Sequence, residues 1–361
     1  MKRVRGLWPR ILDRENLRLA TLKALRTKRD RTEVRSYVAD LDNNLQRMLV
    51  QLSEDSFPLG RYHQFVIFDP KERIITAPCF EERVLHHALM NHCEPVFEKW
   101  FIHDTYACRL GKGRNQAVKR AREFAGRNSF FLKMDIRKYF DSISHDRLLD
   151  RLTRLFKEAP LLRLFDRIVR VYRGQLETGL PIGSLTSQHF ANFYLGHFDR
   201  FVKESLRVKN YVRYMDDMVL WGDSASDLIG KRDECIAYLD EQLGLGCKGE
   251  PYINRTRHGM DFLGCRVWPT HITLNRRSRI RFRRQLQKIE RQYAEGSIGA
   301  IELQRRATAM VSFVQAAEVS SWRFRTRMLE QAPGGWSQGL EPGEPRRQLE
   351  QHAGELPVGE P

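Results

Sequence analysis

Residues 210–221 read NYVRYMDDMVLW, and this stretch decides the fold. Two apolar, β-prone runs flank the adjacent carboxylates Asp216 and Asp217, a pattern that predicts two short strands around a tight turn. Neighbouring carboxylates repel one another, and divalent cations bound against them would offset that repulsion. Acidic turns are also common as solvated hairpin tips, so the pair alone does not decide between a surface turn and a metal site.

A second carboxylate follows another apolar run, because residues 130–136 read FFLKMDI. This run predicts a buried strand that ends in Asp135. Nucleotidyl transfer uses two Mg²⁺ ions about 3.5–4 Å apart; one activates the attacking 3′ hydroxyl and the other escorts the triphosphate and the leaving pyrophosphate. We expect Asp135 and Asp216 to bridge the two ions and Asp217 to support them. An Asp at a strand end, taken alone, more often caps the strand.

The composition favours a polyanionic partner. The 361 residues include 62 Lys and Arg against 45 Asp and Glu, for a formal net charge of +17. Such an excess favours nucleic acid binding, although it also serves solubility alone.

The six cysteines form no CxxC pair, which argues against structural zinc and a disulfide framework. No run approaches 18 apolar residues and the N-terminus has no signal-peptide core, so we expect no membrane segment and a cytoplasmic location.

The order of the predicted elements is α+β, without tandem βαβ repeats. Residues 14–55 and 80–100 show helical spacing of apolar residues, whereas residues 63–78 predict a β-hairpin. Ser144 is expected to N-cap the helical region that follows it. The last 31 residues hold five Pro and six Gly without apolar periodicity, which predicts disorder.

Together these motifs resemble the palm of reverse transcriptases. The resemblance depends on their order: a basic hairpin, a strand ending in Asp135 with an aromatic residue five positions later, a glycine turn, and then YMDD. It covers roughly residues 60–275, with a weaker match to about 330, and implies an α+β, right-hand polymerase with fingers, palm and helical thumb. The implied domains are an N-terminal helical extension at 1–60, fingers at 61–130, a palm at 131–275 with a helical fingers insertion near 147–178, a helical thumb at 276–330 and a disordered tail at 331–361.

The resemblance also implies roles for residues around the carboxylates. Asp135, Asp216 and Asp217 would be catalytic and would hold two Mg²⁺ ions, with Ile136 as a further metal-binding position. Lys248 falls roughly where the family has a lysine that protonates pyrophosphate, although the surrounding GLGCKGE is spaced less regularly than the family pattern.

Further positions would bind the incoming nucleotide. Phe140 falls at the family's sugar gate, an aromatic ring that collides with a ribose 2′-OH and so favours dNTPs over rNTPs. Without the resemblance, a core Phe would be the better interpretation. The basic residues expected to hold the triphosphate are Arg109, Arg73, Lys71 and Lys112.

The glycine turn narrows the subgroup, because residues 180–188 read LPIGSLTSQ. Many reverse transcriptases have Gln-Gly followed by Ser-Pro here, whereas this chain has Ile182 before Gly183 and ends the motif in Gln188. The pattern resembles the enzymes of diversity-generating retroelements, which copy a template RNA with frequent errors opposite adenine. All three residues are therefore substrate-binding candidates, and we expect Ile182 to contribute to these errors because it lacks the hydrogen bond that Gln offers. The alternative is that Ile182 only packs beneath the turn.

The implied partners are a template RNA, the cDNA or its primer, dNTPs and a small basic accessory protein, the accessory variability determinant. Other interpretations stay open. A retron or group II intron-like reverse transcriptase has the same catalytic set. A viral-type RNA-dependent RNA polymerase usually lacks the aromatic gate, and a non-catalytic RNA-binding protein on a degenerate polymerase fold would not need all three carboxylates.

Overall fold

The computed structural model describes residues 2–26, 28–68, 72–172, 177–314 and 317. The chain divides into two compact units, residues 1–270 and 271–361. The segment 331–361, for which disorder is expected, and Lys71 lie outside the described residues.

The first unit begins with helices that pack on one long helix. Their bounds are α1 Trp8–Ile11, α2 Arg14–Ala24, α3 Thr32–Ala39, α4 Leu41–Ser53 and α5 Phe80–Trp100. Leu17 and Ala20 on α2 are fully buried, and Asn16 Nδ2 donates to the Ala88 carbonyl of α5 at 3.2 Å. The predicted helical region at 14–55 is confirmed, and it consists of three helices.

Between these helices runs an antiparallel hairpin, β1 Tyr62–Phe68 and β2 Glu72–Pro78, which confirms the predicted one. Most of its side chains are exposed, but Thr76 and Pro78 at the base of β2 are buried. The Thr76 N–H donates to the Ile182 carbonyl at 2.7 Å. The second half of β2 is therefore fixed to the glycine turn.

A four-stranded antiparallel sheet forms the centre of the first unit. Its strands are β3 Phe130–Asp135, β4 Asn210–Tyr214, β5 Asp217–Gly222 and β6 Tyr252–Arg255, in the order β4-β5-β3-β6. The four inner residues of β5 are all buried, as expected for a continuous apolar run in a central strand. This order places the ends of β3 and β5 side by side.

Six helices connect and cover these strands. They are α6 Arg114–Ala125, α7 Tyr139–Ser142, α8 His145–Leu155, α9 Ala159–Arg170, α10 Leu185–Arg200 and α11 Ala225–Leu243. Helices α6 and α11 contact the sheet. The Ser144 side chain accepts a hydrogen bond from the Arg147 N–H at 3.4 Å, so the predicted N-cap of α8 is confirmed.

The first unit ends with a short hairpin of β7 Met260–Phe262 and β8 Cys265–Val267. Leu263 and Gly264 form its turn, and both have positive φ, as a type I′ turn requires. The second unit contains β9 Ile272–Leu274, α12 Arg276–Ala294 and α13 Ala300–Val314. The α+β class is thus confirmed, and no helix among the described residues is long and apolar enough to cross a membrane.

Candidate active site

Strand register brings two of the predicted carboxylates together. Asp135, the last residue of β3, lies directly opposite Asp217, the first residue of β5. Directly opposite residues of antiparallel strands have Cα atoms about 4.5–5.5 Å apart. On the other side of β5, Tyr214 pairs with Asp217, which leaves Met215 and Asp216 as a two-residue turn. All three carboxylates therefore lie at one end of the sheet.

The turn that carries Asp216 is strained. Met215 has φ 55°, in the left-handed region, while Asp216 does not, as in a type II′ turn. This turn fits the twist of the flanking strands, but its first position usually holds glycine. A non-glycine residue there costs about 1–3 kcal/mol, which the surrounding structure must offset.

A buried arginine supports this turn from below. Arg213 has no exposed surface, and its Nη1 donates to the Met215 carbonyl at 3.1 Å. Its Nε and Nη2 bind the Asp199 carboxylate, both at 2.6 Å, and Asn192 accepts two further bonds. Burial lowers the pKa of Arg213, but the charge and hydrogen bonds of Asp199 outweigh it and raise the pKa above its ordinary value. The guanidinium thus stays charged and fixes the Met215 carbonyl.

Burial and mutual repulsion disfavour the ionised carboxylates. Burial raises the pKa of Asp217 to about 6, and the charges of Asp135 and Asp216 add to this, while Lys133 lowers it. The pKa of Asp216 is also raised, first by burial and then by Asp135, while Arg73 lowers it. A site of this kind gains free energy from any cation that neutralises it.

Two lysines already contact the carboxylates. Lys248 Nζ lies 2.8 Å from Asp135 Oδ2, and the Lys248 N–H donates to the Asp135 carbonyl at 2.8 Å. Lys133 Nζ lies 3.2 Å from Asp217 Oδ1 and donates to the Asp261 carbonyl at 2.7 Å. The predicted position of Lys248 beside the carboxylates is therefore matched by the geometry, whereas its role in proton transfer stays a prediction.

The donor set fits Mg²⁺ in chemistry, since hard oxygen ligands are what this ion prefers. Asp217 Oδ1 is buried and, apart from its ion pair with Lys133, accepts no hydrogen bond of good geometry. Among the residues the structure describes, however, no three acidic, histidine or cysteine side chains form a ready-made metal cluster. Ile136 is buried, so only its backbone carbonyl is a possible ligand. The backbone register places Asp135 opposite Asp217, while Lys248 Nζ occupies Asp135 Oδ2 at 2.8 Å.

The predicted sugar-gate residue follows the carboxylate strand. Phe140 lies on α7, is partly buried, and contacts the Tyr139 ring at 5.7 Å between centroids. Its carbonyl accepts from the Leu180 N–H at 2.9 Å, which ties α7 to the start of the glycine turn. Phe140 thus lies five residues beyond Asp135, beside the turn that contains Ile182.

The glycine turn packs tightly on the hairpin. Gly183 has φ 124°, and a Cβ at this position would lie 2.8 Å from Ile75 Cγ2 and 3.1 Å from the Thr76 carbonyl. Only glycine fits both the conformation and the space. Ile182 is partly exposed and Gln188 is exposed, with Gln188 Oε1 accepting from Cys108 Sγ at 3.6 Å.

Three of the four basic candidates lie within the described residues, and their environments differ. Arg73 is exposed on β2, and its charge lowers the pKa of Asp216. Lys112 Nζ donates to the His103 carbonyl at 3.0 Å. The structure corrects the prediction that Arg109 holds the triphosphate. The Arg109 side chain is 7% exposed, pairs with Glu98 at 3.0 Å and is not available to a triphosphate.

The contacts of Arg109 show why. Its Nη1 donates to the carbonyls of Ile102 and Thr105, both at 2.7 Å, and its guanidinium lies over the Phe101 ring. Arg109 therefore organises the loop after α5. Lys71, the fourth candidate, lies outside the described residues.

Comparison with known proteins decides the family. A model of the reverse transcriptase (RNA-dependent DNA polymerase) domain matches residues 69–266, more than half of the chain. The chain belongs to the reverse transcriptase family. The expectation of an RNA-directed DNA polymerase is confirmed at this level, and the match includes Asp135, Asp216, Asp217 and Lys248.

Individual relatives are distant. The reverse transcriptase is 22% identical over 276 residues to Protein YkfC of Escherichia coli, covering 60% of this chain and 71% of YkfC. It is 23% identical to the group II intron-encoded protein LtrA of Lactococcus lactis, covering 45% of this chain but only 28% of LtrA. Among solved structures, telomerase from Candida albicans in complex with a fragment of telomeric RNA shares 14% identity over 64% of this chain and 51% of that chain, with a TM-score of 0.44.

Two features of this reverse transcriptase site were not predicted from the sequence. Lys133 lies two residues before Asp135 on the same face of β3, so the period of a strand points to it. Arg213 reads as an exposed residue at the end of a strand, and its partner Asp199 lies on α10. Only the packing of α10 against β4 makes that pair visible.

Proposed function

We propose that this reverse transcriptase copies an RNA template into DNA by two-metal nucleotidyl transfer at Asp135, Asp216 and Asp217. The observation that carries the proposal is the strand register, which sets Asp135 opposite Asp217 with Asp216 on the adjoining turn. When bound, Mg²⁺ would activate the 3′ hydroxyl and neutralise the triphosphate. The primer 3′ oxygen would then form a bond to the α-phosphorus of a dNTP, and the bond to pyrophosphate would break.

Residues around the carboxylates would bind the triphosphate and protonate the leaving pyrophosphate. Arg73 is exposed on β2, its charge lowers the pKa of Asp216, and it would pair with the triphosphate. Lys248 contacts Asp135 and would donate a proton from Nζ to the leaving pyrophosphate. Phe140 would lie beneath the 2′ carbon of the sugar and exclude a 2′-OH.

Primer extension by single-site variants tests the carboxylates. Asp216→Asn and Asp135→Asn should lose dNTP incorporation while keeping the melting temperature of a folded protein. Asp233→Asn, an exposed carboxylate on α11 paired with Arg232, is the matched control and should keep full activity. Near-normal extension by either folded site variant would refute the assignment.

The sugar gate is tested separately. Phe140→Ala should gain rNTP incorporation and retain some dNTP activity, because removal of the ring opens space at the 2′ position. An unchanged preference for dNTPs in an active variant would make Phe140 a packing residue.

We further propose that the copying is error-prone and serves a diversity-generating retroelement. The support is the turn sequence, with Ile182 where many relatives have Gln. Loss of one hydrogen bond is worth roughly 0.5–1.5 kcal/mol, and about 1.4 kcal/mol is a tenfold change in rate, so misincorporation could rise by up to about an order of magnitude. The structure leaves Ile182 partly exposed, which a contact with substrate requires.

Sequencing of cDNA tests this proposal. Ile182→Gln should make fewer errors at template adenines than the wild type on the same RNA, with the small basic accessory protein added if synthesis needs it. Equal adenine error spectra from two comparably active enzymes would remove Ile182 from the mechanism.

The similarity to LtrA favours a second candidate, an intron-like reverse transcriptase. The two candidates predict different flanking DNA. A template repeat and a variable repeat that differ mainly at adenines would support the diversity-generating role, whereas a structured intron RNA around the gene would support the second candidate.

A further inference from the structure

A second basic site lies away from the carboxylates, at the base of the β1–β2 hairpin. A pocket of about 450 Å³ opens between the loop after α2, the start of α3, the ends of the hairpin and the first turn of α5. Four of its lining residues are cations, namely Lys28, Arg31, Arg61 and Arg83, and one is an acid, Glu33.

Three of the four cations have no ion-pair partner among the described residues. Arg61 pairs with Glu81 at 2.6 Å. Within the described part of the chain, Lys28, Arg31 and Arg83 have no carboxylate within 4.0 Å and no side-chain hydrogen bond, and Arg83 Nε is buried without a partner. The Glu33 carboxylate compensates these cations only in part. Its Oε1 accepts from the Phe80 N–H at 2.6 Å, and its charge raises the pKa of Lys28 and of Arg83 less than burial and the neighbouring cations lower them.

Such an arrangement costs free energy in the absence of an anion. Burial lowers the pKa of Arg83, and the charge of Arg31 lowers it further. The pKa of Lys28 is lowered first by burial and then by Arg83 and Arg31. The three side chains thus repel one another at one pocket, and a group with two or more anionic oxygens would satisfy them together.

We propose that this pocket binds a phosphate group of the uncopied RNA template strand as it approaches the active site along β2. The proposal rests on the proposed function, since it needs a template. β2 carries Arg73, is joined to the glycine turn by the bond from the Thr76 N–H to the Ile182 carbonyl, and contributes Pro78 to the pocket. Five residues of strand span about 17 Å, or about five nucleotides at the ~3.4 Å spacing of a stacked strand. Because the primer ends at the carboxylates, the strand that continues past them is the single-stranded template overhang.

Overhang length is therefore the test. Fluorescence anisotropy would measure binding of primer–template duplexes with 5′ template overhangs of two or eight nucleotides, without dNTPs. The wild type should bind the eight-nucleotide overhang about tenfold more tightly, a difference of about 1.4 kcal/mol. A variant without the pocket cations should lose this difference, and its salt slope should fall by about 0.7 per lost phosphate contact.

The variants are matched in charge. The pocket variant carries Lys28→Gln, Arg31→Gln and Arg83→Gln, and the control carries Arg127→Gln, Lys157→Gln and Lys209→Gln, three exposed cations outside the pocket. A double variant, Lys28→Gln with Arg31→Gln, retains the half-buried Arg83 and replaces the triple variant if that one does not fold. Incorporation on the two-nucleotide overhang should be unchanged in the pocket variants, which separates this proposal from failure at the carboxylates.

A second arm identifies the source of the phosphate. Inorganic phosphate, added at constant ionic strength, should raise the melting temperature of the wild type and not of the pocket variant. That result without any overhang effect would assign the pocket to free phosphate. If the pocket variant matches the control in both arms, the pocket does not bind phosphate. If it loses affinity equally for both overhangs, the pocket does not bind the template overhang, and the proposal is wrong.

Discussion

Arg213→Lys tests whether the buried arginine positions the Met215–Asp216 turn. Arg213 uses all five of its N–H donors, on Asp199, Asn192 and the Met215 carbonyl. Lysine keeps the charge but has three donors, so at least two of these five hydrogen bonds are lost. The Asp199 oxygens keep the bonds that they accept from Tyr211 and Thr105. A hydrogen bond that involves a charged group contributes about 1.5–3 kcal/mol. The expected loss of unfolding free energy from two lost bonds is therefore about 3–6 kcal/mol.

Urea unfolding would measure that loss, and Arg154→Lys is the control. Arg154 pairs with Asp150 on the exposed face of α8, where an ion pair contributes about 0.3–0.5 kcal/mol. The effect of Arg213 on the position of the carboxylates is measured separately, by steady-state kinetics at a temperature where the variant is folded. The kcat for dNTP incorporation should fall while the KM for dNTP changes little, because the carboxylates would move while the triphosphate contact proposed for Arg73 would stay. A variant within 0.5 kcal/mol of wild type, with normal kcat, would refute the reasoning.

Two other predictions follow from the hairpin and its base. Gly183→Ala should destabilise the fold by about 1–3 kcal/mol, because its positive φ and its contact with Ile75 both oppose a Cβ; equal urea midpoints for variant and wild type would contradict this. Burial raises the pKa of Glu82 from an ordinary 4.5 to about 7, despite the lowering effect of Arg61. The folded protein therefore holds this proton more tightly than the unfolded chain, and its stability should fall as pH rises from about 4.5 to about 7. Relative to Glu82→Gln, the loss should be on the order of 3 kcal/mol. Parallel stability curves for the wild type and this variant would place the titration elsewhere.

What the sequence could predict depended on how local each feature is. The YMDD turn, the strand ending in Asp135 and the N-cap at Ser144 follow from neighbouring residues, and the structure has all three. Arg109 is different, because its partner Glu98 lies on α5 and its carbonyl acceptors lie in the following loop, whose path no periodicity defines. Triphosphate binding was predicted for Arg109 from a basic motif, and the sequence of such a motif does not show whether the guanidinium faces the interior or the solvent.

Long-range pairs were equally hidden. Arg213 and Asp199 are 14 residues apart in different elements, and each alone resembles a surface charge. Lys133 was within reach, since it shares a face of β3 with Asp135, but its second contact, the Asp261 carbonyl of β7, depends on tertiary structure. Sequence therefore predicted which carboxylates meet, and packing determined which cations accompany them.

The bond between Thr76 and residue 182 involves backbone atoms alone, the Thr76 N–H and the carbonyl of residue 182. Gly183 provides the rest of the attachment through the absence of a side chain. The hydrogen bond that joins the hairpin to the glycine turn thus uses no side-chain atom of residue 182. An exchange of Ile182 for Gln keeps both atoms of that bond. If residue 182 influences copying accuracy as proposed, accuracy can change while the backbone attachment of the hairpin stays the same.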